Sequence, residues 1–179
     1  MAQSINDIVC KINESFENTF KGIKTYGVSI LIDREGKTQP IVNEMPVAID
    51  DSYAMQIYHR INSINIVNKD GFGDKTNTIN TFVMSLFLFN NQKLTKLRAD
   101  EIVMILQSVL TNINIYSVRI LPTSANLTSS AIYASEYRGS NFRMSEFYNL
   151  IQFNYNIEIT FKSGCFDLCP EDFSQYKIN

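Results

Sequence analysis

One histidine, three cysteines and a scatter of carboxylates carry most of the chemistry open to this chain. A catalytic histidine needs a nucleophile on one side and an orienting acid on the other. His59 sits in "YAMQIYHRINSINIV" (53–67), in alternation with Met55, Ile57 and Ile61, where a packed, half-buried ring is expected. Cys165 and Cys169 lie together in "CFDLC". A zinc site takes four ligands, and one histidine leaves that set short. Cys10, beside Val9 on a helical stretch, reads as a packed or half-buried thiol. Asp50, Asp51, Glu101, Glu136 and Glu158 are the acids that a metal-dependent nuclease could use. Two-metal chemistry needs them to converge, and nothing in their spacing enforces that.

Two further stretches invite a chemical reading. "DGFGD" (70–74) is followed by Lys75, Thr76 and Asn77. It therefore lacks the alternating acids and closing Glu of a calcium loop, and the third glycine of a nucleotide loop. It reads as a hairpin tip, with Phe72 offered to a neighbour. "EYRGSNFRM" (136–144) sets Tyr137, Arg138, Phe142 and Arg143 close together, the residue types enriched at interface centres. Two arginines are too few for a single-strand nucleic-acid platform. No catalytic residue, cofactor or metal is assigned, and the expectation is a protein that is not an enzyme.

A net charge of -2 offers no basic face for nucleic acid. Lys93, Lys96 and Arg98 are met at once by Asp100 and Glu101, as at a solvated helix start. At 45% hydrophobic and 19% charged residues, 179 residues can bury a core. The expected organisation is one domain over 1–162, with 163–179 as a C-terminal extension or arm. The N-terminus is polar, with no basic stretch leading into an apolar one. The most apolar run, "FVMSLFLF" (82–89), is shorter than the ~20 residues of a membrane span, so an interior compartment and no membrane are expected.

The elements follow from period. Ile5, Ile8, Val9, Ile12, Phe16 and Phe20 make one stripe of a helix over 4–21, with Ser4 as N-cap and Gly22 as stop. "TYGVSILID" (25–33) puts Tyr26, Val28, Ile30 and Ile32 on one face of a strand. The return, 37–49, is interrupted by Pro40 and Pro46, which makes it an edge or loose arm where subunits could add. The strand over 53–67 changes parity near Asn62, which implies a bulge. The strand over 78–90 is apolar on both faces, so it is central or meets another subunit. A second helix covers 97–113, and a short strand (117–121) leads into a long Ser- and Thr-rich connection. In "IQFNYNIEITFK" (151–162) the odd positions cover the two helices and Gln152 to Lys162 look outward. Without regular βα alternation, the fold class is α+β: an antiparallel sheet with two main helices packed on one face.

This order (helix 4–21, hairpin, long strand pair 53–90, helix 97–112, polar loop with "EYRG", final alternating strand) resembles tail-terminator or tail-completion proteins of tailed bacteriophages, which build the neck or head-to-tail ring. The resemblance implies a structural virion protein, assembled in the host cytoplasm, whose copies close a six- or twelve-fold ring. Their sheets would pack edge to edge. Loops would dock adjacent neck, portal-side or tail proteins, and DNA would pass the channel without specific binding. The interface would then draw on Pro40, Pro46, Phe72, Tyr137, Arg138, Phe142 and Arg143. The abundance of Asn and Ile suits an AT-rich host, such as that of a crAss-like phage. The alternatives are a monomeric or dimeric protein-binding adaptor, and the nuclease considered above.

Overall fold

Long alternating segments dominate the computed structural model, which describes residues 4–69, 77–139 and 147–162. In chain order the elements are α1 (Ile5–Thr19), β1 (Ile23–Arg34), β2 (Lys37–Val42), β3 (Met45–Pro46), β4 (Met55–Lys69), β5 (Asn77–Asn91), α2 (Ala99–Asn112), β6 (Val118–Asn126), α3 (Ser129–Glu136) and β7 (Tyr148–Lys162). The strands form one sheet in the order β3-β2-β1-β4-β5-β7-β6. The α+β class holds. The sheet is mixed, because β1 and β4 run parallel while the other pairs are antiparallel.

The apolar period builds the helix-bearing face. Ser4 accepts from the Asp7 N–H at 3.2 Å and Asp7 accepts from the Ser4 N–H at 3.0 Å, a reciprocal cap that starts α1. Ile8, Val9, Ile12 and Phe16 then face the sheet. From α2 come Ile102, Leu106 and Leu110, and from β7 Ile151, Phe153, Tyr155, Ile157 and Ile159, all in one buried cluster. The alternation of β7 does cover both helices. Cys10, one step round the helix from Val9, is exposed rather than packed.

The opposite face has its own core, which the sequence reading left open to solvent. Tyr58, Phe87, Phe89 and Leu150 pack there under Ile132 and Tyr137, which come from α3 and its C-cap. The helices therefore lie on both faces, not one. α3 falls inside the polar connection, where Ser and Thr mask a short apolar spacing: Ile132, Tyr133 and Tyr137. A register shift between Thr25 and Val28 sends Tyr26 to this second core, away from the face of Val28. The shift expected near Asn62 lies between Ile61 and Ser63. It keeps Ile64 and Ile66 on the face of Ile61, since they pair with Phe82 and Asn80, and Ile61 with Met84.

His59 joins α1 to the sheet and is fully buried, not half-buried. Its Nδ1 lies 2.8 Å from the Tyr155 hydroxyl and its Nε2 2.8 Å from Asn13 Oδ1. The Asn13 amide donates to the Tyr26 carbonyl at 2.8 Å, which leaves Oδ1 as an acceptor. The neutral ring must then carry its proton on Nε2 and accept from Tyr155 at Nδ1. Burial lowers the His59 pKa from 6.5 to about 3. The unfolded chain thus binds a proton here between those limits and the native chain does not. Stability from this group is complete above pH 6.5 and falls on acidification by up to about 1.4 kcal/mol per unit. Urea unfolding of the wild type should show that slope below pH 6.5. The His59→Gln variant should show a flatter one, whatever its absolute stability.

Candidate functional site

The stretch "EYRG" (136–139) closes α3 onto β4, onto Val47 after β3 and onto the β1–β2 hairpin, each residue by a different contact. Glu136 is 1% exposed and accepts from Arg60 Nη1 at 2.7 and 2.8 Å, from the Tyr58 hydroxyl at 3.1 Å and from Ser135 at 3.3 Å. The Arg60 guanidinium also lies 4.6 Å over the Phe87 ring. Burial first, then the neighbouring Tyr137 and Glu136, push the Tyr58 pKa well above its ordinary value, so it stays a donor. Tyr137 donates to the Val47 carbonyl at 3.0 Å. The Arg138 backbone exchanges two bonds of 2.8 Å with Thr38, one to its hydroxyl and one from its N–H. Gly139 has φ +63, and a Cβ there would meet the Gly36 carbonyl and Lys37 Cγ at 3.2 Å. Only glycine combines that backbone with that approach.

What this clasp holds in place is the hairpin. Glu35 and Gly36 both have positive φ, as the two central residues of a tight hairpin turn do. On the face of Val28, the hairpin carries Ile30, Ile32 and Ile41 as the floor of an open groove of about 950 Å³. Arg34, Lys37 and Glu44 stand round it. Ile30 is 63% exposed. Beside the groove the sheet forks. β1 pairs with β4 as far as Ser29–Arg60 and with β2 from Ile30–Ile41 onward. Among the described residues, β4 beyond Arg60 has no strand on that side.

The residues singled out from the sequence fall in different places. Pro46 is exposed on β3 at the sheet edge, whereas Pro40 is buried in β2. Arg138 reaches Asp33 at 2.8 Å across an exposed pair, which is worth little in stability. Tyr137 is 1% exposed and belongs to the second core. Phe72, Phe142, Arg143, Cys165 and Cys169 lie outside the described residues. Arg60, Tyr58 and Thr38 were not picked out by the sequence reading. Their partners stand 76, 78 and 100 positions away, so only the fold reveals them.

The acids do not meet. Asp50 accepts from Ser52 and lies 3.7 Å from Lys24. Asp51 accepts from the Tyr148 hydroxyl at 2.6 Å, and Glu101 caps α2 through the Arg98 N–H at 2.8 Å. Glu158 pairs across strands with Thr81 and Arg119. Among the described residues, no group of three or more His, Cys, Asp or Glu is placed to hold a metal. Ser85, fully buried, donates to Asn154 at 2.7 Å and accepts from Asn62 at 2.8 Å, so amides and not a base surround its hydroxyl. No helix among the described residues is long and apolar enough to cross a membrane.

Compared with known proteins, the chain matches no family model and no curated sequence. Function must therefore be argued from the geometry.

Breaking a buried ion pair leaves its other half unpaired, at a cost of about 3–5 kcal/mol. Glu136→Ala and Arg60→Ala should each lose about that much in urea unfolding. The double variant Arg60→Met with Glu136→Leu should recover most of it.

Proposed function

We propose that this protein is a structural subunit that assembles with copies of itself, as a ring component of a phage neck or tail-completion region. The observation that carries this is the fork: among the described residues, a strand edge without a partner beside an apolar groove. Backbone donors and acceptors along an open edge are a template for another chain. The groove adds side-chain area, since covering one large aliphatic residue such as Ile30 is worth about 1.5–3 kcal/mol. A second copy fits because each subunit carries both an open edge and a hairpin that projects from the clasp. A head-to-tail contact of that kind closes a ring when the rotation permits. Adjacent neck, portal-side or tail proteins are the further partners on this reading, and DNA passes without specific contacts.

The same surface would serve a monomeric or dimeric adaptor, and copy number separates the two. Native mass spectrometry over a hundredfold concentration range should give a closed assembly of six or twelve copies. Ile30→Asp combined with Ile41→Asp should shift it to single copies while the far-ultraviolet dichroism stays unchanged. One or two copies at every concentration, with the chain missing from purified phage particles, would sink the ring reading.

A further inference from the structure

Two strand edges look at each other across the fork, and neither is paired there. Among the described residues, β1 from Ile30 to Arg34 pairs with β2 alone, and β4 from Ile61 onward pairs with β5 alone. The two strands run parallel up to that point, and their side chains stay in step beyond it. Ile30 and Ile32 continue the face of Val28, and Ile64 and Ile66 that of Ile61. Ile30, Ile64 and Ile66 are 63%, 53% and 66% exposed. If the pairing went on past Ser29–Arg60, with the extra residue at Asn62 left out, Ile30 would fall beside Ile61, Ile32 beside Ile64 and Arg34 beside Ile66. Apolar neighbours on one face are what holds adjacent strands together.

What keeps the edges apart is the clasp, which grips the hairpin from the other side. The Thr38 N–H donates to the Arg138 carbonyl and the Thr38 hydroxyl accepts from the Arg138 N–H, both at 2.8 Å. Arg138 reaches Asp33 at 2.8 Å, and Gly139 sits against Gly36. Asp33 alternates with Ile32 and so lies on the face away from the apolar row. The pivot is marked as well. Ser29, 2% exposed, donates to the His59 carbonyl at 2.9 Å and ties β1 to β4 at the last paired residue. We propose that the hairpin has a second position, in which β1 zips along β4 as far as Arg34, and that the clasp decides which position is held. The exposed Arg138–Asp33 pair adds little, so a few polar contacts are set against the burial of an apolar row, the balance a two-position element requires. The zipped position covers the β4 edge of a lone subunit and guards it from wrong partners. The clasped position opens it to the next copy. That control of the edge rests on the assembly reading; the movement itself does not.

With the three native cysteines replaced by serine, Ile32→Cys and Ile64→Cys are introduced together and the protein is oxidised mildly. Zipped strands lie about 4.8 Å apart, inside the ~4.4–6.8 Å that a disulfide spans between Cα atoms. Ile32→Cys with Asn65→Cys, on the opposite face, is the control. Mixed nitrogen-14 and nitrogen-15 preparations tell bonds within a chain from bonds between chains. Thr38→Val with Gly139→Val opens the clasp. Arg138→Ala, which leaves the main-chain bonds in place, is the milder release to use if dichroism shows the first to be unfolded. The expected result is a bond within one chain, formed at least tenfold faster with the clasp opened, or at least twofold faster with Arg138→Ala, while the control is unchanged. A rate that clasp release does not alter, or a bond only between chains, overturns the movement. Reduced and oxidised forms are then compared by native mass spectrometry. The oxidised form should stay a single copy where the reduced one assembles, and assembly of both overturns the control of the edge. Single copies in both remove the ring reading and with it that control, while the disulfide rates still decide the movement.

Discussion

A central strand with apolar side chains on both faces needs a cover on each side, and β5 imposes that need on the whole molecule. Met84, Leu86 and Leu88 face α1 and α2, while Phe87 and Phe89 face α3. The first set is covered by two amphipathic helices with long stripes. The second is covered by a helix of eight residues, too short to be stable by itself. This is why the second side carries the ion pair, the buried tyrosines and the close glycine contact. A small lid lacks apolar area, so directional bonds to β4 and the hairpin fix its place. Charge burial is a poor source of net stability, but it sets position well where few apolar contacts do.

The division between what the residues disclosed and what they hid follows the same line. α1, α2, β5 and β7 could be read because each buries a regular stripe, and the parity change near Asn62 showed the β4 bulge. The period of the return over 37–49 predicts one interrupted strand, but Asn43 and Glu44 turn it into β2 and β3 by adopting positive φ. Tyr26 was placed on the wrong face because a bulge in a parallel pair leaves no mark in alternation. α3 is hard to read from the residues because half of its eight are polar and its role depends on partners far along the chain. Arg138 was legible as a contact residue, yet its main chain, not its charge, makes the defining bonds.

The two faces differ in how they end. On the helix-bearing side the apolar rows run past the helices, toward the hairpin at one end and toward Ile64 and Ile66 at the other. On the other side, a row of small polar groups (Asn62, Ser85, Asn154 and Ser124) takes over where α3 stops. Those four side chains bond to one another within one molecule. The helix-bearing side leaves Ile30, Ile64 and Ile66 more than half exposed.

The long pairing of β5 with β7 also sets an order of events in synthesis. β4 and β5 are neighbours in the chain and can form a hairpin early, but β7 arrives only after α2, β6 and α3 have been made. Until then β5 presents a bare edge with Phe and Leu on both sides, the kind of intermediate that aggregates. A ribosome-bound chain that stalls before Tyr148 is therefore the form of this protein most in need of a chaperone.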